Sequence, residues 1–219
     1  MSTAIEMERA NPMFAEHDAL APAWTTVDSM KTVARYGPND AQAAQTLGIA
    51  DLSARRRCGC KGPAAAVWLA EQGLPIPPQP NAWLALATGG LIARLGRSEF
   101  LIEDAAGGGQ CAQIASRAPG AGVYAVPRQD AELVLVGRRT IDLLLQTCSV
   151  DFSSLDLVPR PVVLTSMVGV GVTVIAEPVA GTVRARIWCD NTYGGYLWET
   201  LVELARELGG GPVGLEALG

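Results

Sequence analysis

The feature of this sequence that most constrains its fold is a strand-to-helix joint that occurs twice. Gly62-Pro63-Ala64 follows RRRCGCK and precedes AAVWLA, while Gly137-Arg138-Arg139 follows ELVLV and precedes TIDLLLQ. The second glycine stands 75 residues after the first (137 minus 62). After each glycine the chain reads in the same order: helix, loose connector, strands, helix. One duplication of a strand–helix–strands–helix unit accounts for that order. It predicts an α+β fold of two pseudo-equivalent halves, about 55–126 and 131–208, with mostly antiparallel sheets and helices on one face.

Local patterns fill in each half. Arg55–Lys61 reads as a strand, and Pro63 opens a helix at the turn where its missing N–H is harmless. Ala65, Trp68 and Leu69 give that helix its i, i+3, i+4 apolar stripe, and Gly73 ends it. LPIPPQPN is an extended connector, because its prolines exclude helix. WLALAT and LIARLG flank Gly89-Gly90 as a hairpin, and EFLIE adds a strand. AAGGGQ is a loop before a short helix near Cys111–Arg117 and the strand GVYAV. In the second half, Ile141, Leu144, Leu145 and Cys148 are the expected core-facing stripe of a helix. VVLTSM, VGVTVIAE and TVRARIW follow as strands. A last helix from about Thr192 to Leu208 carries Leu197, Leu201, Leu204 and Leu208 along one side.

Residues 51–213 are thus expected to form the duplicated domain, and residues 1–50 an N-terminal arm. A short helix is expected near Asn39–Leu47, with Asn39 as its cap. Met13, Phe14, Trp24 and Met30 are apolar, and covering such side chains gains about 25 cal/mol per Å². Residues 10–35 are therefore expected to pack across a partner subunit, the alternative being that the arm folds back over its own domain.

Composition bounds the function. Of 219 residues 18% are charged, against 49% hydrophobic. That is well under the roughly 25% charge of an ordinary soluble domain, so part of the surface is expected to meet a protein partner. A net charge of −5 and a pI near 4.9 argue against nucleic acid. No run of ~18 apolar residues points to a membrane span, and the start of the chain lacks the apolar core of a secretory signal. Five cysteines at irregular spacing suit a reducing cytoplasm.

RRRCGCKGP admits three readings: a metal or redox corner, an anion clamp, or a strand running into a helix. Zinc needs four ligands, usually from two close pairs, and Cys111, Cys148 and Cys189 are scattered. In a strand Cys58 and Cys60 share one face and can be buried as small apolar groups. Arg55 and Arg57 also share a face, as a solvated or interface edge or as a clamp for a carboxylate or phosphate. VGVGVTV has Val174 where a dinucleotide fingerprint needs its third glycine. Gly169 and Gly171 are read instead as a flat strand face. His17, the only histidine, reads as solvated. Asp190 and Tyr193 read as capping groups before the last helix. No nucleophile–base pair stands out, so no catalytic, cofactor-binding or metal residue is assigned.

The ordered series DLSARRRCGCKGPAAAVWL, PQPNAW, ARLGRSEFLIE, LVGRRTIDLLLQTCSVDFSS and YLWETLVELARELGG resembles the gamma subunit of heterotetrameric sarcosine oxidase. That subunit is akin to the folate-binding T protein of glycine cleavage, and N-methylglutamate dehydrogenase has a similar one. The likeness runs from about Asp51 to Gly210. It implies a gamma-type subunit with the folate-enzyme fold and no chemistry of its own. It also implies partner subunits that carry FAD, FMN, NAD and tetrahydrofolate, with zinc on a small companion. The alternative is a stand-alone tetrahydrofolate-binding, aminomethyltransferase-like protein. The T protein's catalytic aspartate maps onto no residue here, and the KGCYxGQE-type stretch of folate-dependent iron–sulfur repair proteins is missing.

Overall fold

Alternation of side chains along each strand decides how this chain layers. The computed structural model describes residues 8–219. In chain order the elements are α1 (Phe14–Asp18), β1 (Ala23–Val27), β2 (Met30–Arg35), α2 (Asp40–Leu47), β3 (Gly48–Asp51) and β4 (Arg57–Lys61). Next come α3 (Ala65–Glu71), β5 (Ala82–Ala85), β6 (Leu91–Arg94), β7 (Glu99–Glu103), α4 (Gln110–Ala115) and β8 (Tyr124–Pro127). The second half holds β9 (Ala131–Val136), α5 (Thr140–Thr147), β10 (Val163–Met167), β11 (Val170–Val179), β12 (Thr182–Cys189), α6 (Gly194–Glu207) and β13 (Gly211–Pro212).

The strands form a β1-β2 ribbon, a five-stranded sheet in the order β5-β6-β7-β4-β8, and a six-stranded sheet in the order β10-β11-β12-β9-β3-β13. All pairings are antiparallel except β13 with β3. Ile92, Phe100 and Ile102 turn toward α3 and α4 with Leu69 and Ile114. Their neighbours in sequence, Leu91, Ala93 and Leu101, turn the other way and meet Ile175 and Trp188 of the six-stranded sheet. Val174, Ile187 and Cys189 face the opposite direction again, onto Leu144, Leu197 and Trp198. The period of two therefore builds four layers: helices, sheet, sheet, helices.

Both glycine joints lie where the repeat places them. Gly62 has φ +123° and Gly137 has φ +110°, backbone that only glycine adopts without strain. Each is also crowded by a neighbouring carbonyl. A methyl group on Gly137 would lie 2.6 Å from the Thr46 oxygen, and one on Gly62 would collide with the Gly122 oxygen. The amide two residues after each glycine bonds the same crowding carbonyl: Ala64 N–H donates to Gly122 O at 3.2 Å and Arg139 N–H to Thr46 O at 2.9 Å. Gly122 lies just before β8 and Thr46 just before β3, so these two strands occupy matching places.

That match corrects the reading of residues 1–50 as an N-terminal arm outside the domain that begins at residue 51, and within it the fold-back alternative holds. Residues 1–7 lie outside the described residues; of the remainder, β3 is an inner strand of the six-stranded sheet, paired with β9 and β13. Met13, Met30 and Val33 are buried within this chain, and Phe14 stacks on Trp24 at 5.1 Å while staying partly exposed. The segments here show little periodicity because they are short and β3 is buried on both faces. Only the register with β9 gives β3 its place.

Smaller corrections have equally local causes. On α5 the buried face is Thr140, Leu143, Leu144 and Thr147, with Leu145 half exposed, so the helix is rotated from the expected stripe. Asn39 makes no side-chain cap bond; the Asp40 carboxylate instead accepts the Tyr36, Gly37 and Gly214 amides. Gly169 is not on a strand face. With Val168 it makes the two-residue turn between β10 and β11, both at positive φ as such a hairpin requires.

Candidate functional site

Where the two sheets face each other the interior is ionic. Arg57 on β4 sits directly opposite Glu103 on β7, and Glu132 on β9 sits directly opposite Trp188 on β12. Glu132 lies 75 residues after Arg57 (132 minus 57), so the two occupy the same place in the two halves and carry opposite charge. Arg57 Nε donates to Glu103 Oε2 at 2.7 Å, and its Nη2 donates to Glu132. Arg186, two residues before Trp188 on β12, donates from Nε to Glu132 at 2.8 Å and from Nη2 to both glutamates. Trp188 Nε1 adds a bond to Glu103 at 3.0 Å, and Arg55 Nη1 reaches the same carboxylate at 3.3 Å.

Both glutamates are fully buried, and the Arg57 and Arg186 side chains nearly so. Isolated, such charges would be prohibitively expensive; paired and hydrogen-bonded they are tolerated, and removal of one partner is strongly destabilising. Burial pushes the Glu132 carboxyl up, against the pull of Arg57 and Arg55. It lowers the Arg186 guanidinium, and Arg55 and Arg57 add repulsion.

The arginine run, expected as a solvated or interface edge or an anion clamp, instead has its last member inside the protein. Alternation on β4 turns Arg57 inward, while Arg55 lies before the strand begins. A usable signal was present: Glu132 is the single charge in AELVLV, and Arg186 stands beside the apolar Ile187-Trp188 end of TVRARIW; buried positions tolerate such charges only when paired.

A cleft of about 220 Å³ opens on this network, lined by Arg55, Val134, Arg184, Arg186 and Gly89 among others. Pockets that enclose drug-sized ligands run to roughly 300–1,000 Å³, so the cleft is smaller than a tetrahydrofolate cradle would be. A larger cavity, about 350 Å³, lies on the helix side of the five-stranded sheet against Cys58, Trp68, Ile114 and Arg117.

A second buried polar group involves His17, which is wholly buried rather than solvated. Its Nε2 lies 3.1 Å from Asp51 Oδ2 and its Nδ1 lies 2.8 Å from the Tyr36 hydroxyl. Asp51 ends β3 and also accepts Asn11 Nδ2 at 2.7 Å and the Ser53 amide at 2.7 Å. Trp198 of α6 packs edge-on against the imidazole at 4.5 Å. This cluster fastens the N-terminal segment to the second half. Burial pushes the Asp51 carboxyl up, but the bonds from His17 and Ser53 outweigh it and hold the group below its ordinary range. Burial raises Tyr36 as a phenol, so its hydroxyl stays protonated beside His17 Nδ1.

All five cysteines are free thiols. Burial moves Cys60 and Cys148 up to about 11 and Cys189 to about 12, which keeps them protonated and weakly nucleophilic at neutral pH. Cys111, raised chiefly by a hydrogen bond with Cys58, lies 3.5 Å from the Ile102 carbonyl oxygen, across the ladder from Cys58. Asp190 accepts the Thr192 amide at the start of the last helical segment, as expected of a cap. Among the described residues no three His, Cys, Asp or Glu side chains converge as metal ligands. None of their helices is long and apolar enough to cross a membrane.

Two sheets face to face, with helices outside and a joint glycine in each half, define the fold of the aminomethyltransferase T type. The chain superposes on glycine cleavage system aminomethyltransferase T from Bartonella henselae with a TM-score of 0.75 at 17% identity, over 96% of its own length. It spans 61% of the length of that enzyme. It also superposes on a chain of heterotetrameric sarcosine oxidase from Corynebacterium sp. U-96, with a TM-score of 0.57 at 16% identity, over 77% of this chain and 90% of that one. No protein-family model and no curated protein sequence matches the chain.

Proposed function

We propose that this chain is a non-catalytic, gamma-type subunit of a multi-subunit flavoenzyme that oxidises sarcosine or another N-methyl amino acid. Its role is to support assembly with the large subunit. The observation that carries this reading is the middle of the fold: Arg57, Glu103, Glu132, Arg186 and Trp188 fill it with bonds to one another. Side chains engaged in that way hold the two halves together, and Arg57, Glu103, Glu132 and Trp188 are committed to this network rather than to a reacting molecule. The likeness to one chain of a heterotetrameric oxidase over 90% of that chain's length supports the same reading. So do the exposed Val67, Tyr124, Val158 and Tyr193, apolar or aromatic surface of the kind enriched where proteins meet.

On this reading FAD, FMN, NAD, tetrahydrofolate and zinc belong to partner subunits, and the complex is cytoplasmic. Co-expression with a flavin-bearing large subunit tests it. The chain is expected to copurify in a coloured complex and to be colourless and inactive alone. A monodisperse chain that binds no such subunit overturns the proposal. Turnover of the reconstituted complex on sarcosine against N-methylglutamate identifies the substrate. The likeness to an aminomethyltransferase favours a second reading, a stand-alone tetrahydrofolate-binding protein. Micromolar calorimetric binding of tetrahydrofolate to the isolated chain would establish that one instead.

A further inference from the structure

We propose that the cleft between the two sheets binds a small oxyanion, a carboxylate or phosphate, through Arg55, Arg184 and Arg186. The inference is independent of the assembly proposed above. It rests on charge, on unused donors and on size.

Three guanidinium groups, Arg55, Arg57 and Arg186, converge on only two carboxylates, Glu103 and Glu132. Arg184 borders the same cleft and is balanced by Glu177, through Nε at 2.8 Å and Nη2 at 2.7 Å. Among these side chains the cations therefore outnumber the carboxylates by one, and the last residue, Gly219, borders the same cleft. Salt and water screen that excess poorly where the Arg186 side chain is 91% buried (9% exposed).

The donors are equally unbalanced. A guanidinium offers five N–H groups in a planar fork suited to two oxygens of one anion. Arg186 uses Nε and Nη2 on the glutamates, and its Nη1 has no hydrogen-bond partner among the described residues. Arg55 uses only Nη1, leaving Nε and Nη2. Arg184 leaves Nη1. All three residues line one cleft of about 220 Å³, whose remaining walls include Leu52, Val134 and Val136. A small anion fits that volume, whereas a drug-sized ligand does not. Repulsion from Arg55 and Arg57 on the buried Arg186 guanidinium is relieved by an added negative charge.

The test uses the full chain with inorganic phosphate and with malonate as probes, each against sodium chloride at matched ionic strength. Melting temperature and calorimetry are read. At least one probe is expected to stabilise the chain saturably. Arg55→Ala, which leaves Glu103 its other partners, and Arg184→Ala, which releases only the partly exposed Glu177, are each expected to weaken that binding at least tenfold. Arg117→Ala, by the other cavity, is expected to leave it unchanged. Phosphate alone binding identifies a phosphate ligand, and malonate alone a carboxylate; either supports the site. The proposal is overturned if neither probe exceeds chloride, or if both cleft variants bind as the parent does.

Discussion

The two halves of this molecule share a framework but are completed differently. In the first, the meander β5-β6-β7-β4 is closed by β8, which follows it in the same half. In the second, the matching meander β10-β11-β12-β9 is closed by β3, which comes from the chain before the first half begins. The joints are alike down to the carbonyl that each glycine admits, Gly122 for Gly62 and Thr46 for Gly137. A repeat can therefore keep its geometry while changing the source of a strand, provided the crowded backbone crossing is preserved. The N-terminal segment is tied in by this difference, because the second half lacks its inner strand without it.

The largest effect is expected where the halves meet. Arg57→Ala leaves Glu103 and Glu132 with fewer cationic partners in a buried site, which should remove about 3–5 kcal/mol of stability. Chemical denaturation measures the loss. If the halves were independent units, the variant would instead show two separate transitions, with one left unshifted.

Alanine at the joints compares the halves directly. Gly62→Ala and Gly137→Ala each impose a strained backbone and a collision with a carbonyl. Each should lose about 3 kcal/mol, the upper end for a strained residue. Similar losses are expected from both; a neutral Gly137→Ala would show that β3 does not play the part of β8.

The borrowed strand has its own signature in pH. Asp51 is held below its ordinary range in the folded chain, so its contribution is fully present above about pH 4, the range of an unfolded aspartate. That contribution should fade as pH falls through the folded value. His17→Ala should cost about 2 kcal/mol near neutral pH by leaving a buried acceptor short of a partner. Asp51→Asn should flatten the acid limb of a stability–pH curve, and an unchanged limb would place the acid sensitivity elsewhere.

The smallest effect is expected on the helix side of the five-stranded sheet. Replacing Cys58 and Cys60 together by alanine should lose about 1–2 kcal/mol, the loss expected for two small side chains. Bound metal and complex assembly should be unaffected, and a change in either would restore a ligand or redox role to these thiols.

How much of this was legible can be seen at particular residues. EFLIE, ELVLV and TVRARIW were readable as strands because alternation and β-branched content act within five or six residues. The joint glycines were readable because a strand must turn sharply before its helix. Leu145 misled because several leucines in a row fit more than one helical phase, and only the packing of α5 beneath the six-stranded sheet selects Leu143 and Leu144. Arg57 and His17 misled because a charged or polar residue is ordinarily outside, and the carboxylates that each one pairs with are far from it in sequence.

The sequence by itself determined the periodic elements, their order and the duplication, since hydrogen-bonded backbone and side-chain period are local properties. The tertiary structure decided that β3 serves the second half, that His17 is buried on Asp51, and that four charges lie between the sheets. Those outcomes depend on partners at least 34 residues apart along the chain. Burial makes each such group favourable only once its partner has arrived, so a local pattern can mark a charge inside an apolar strand but cannot name the partner that settles it.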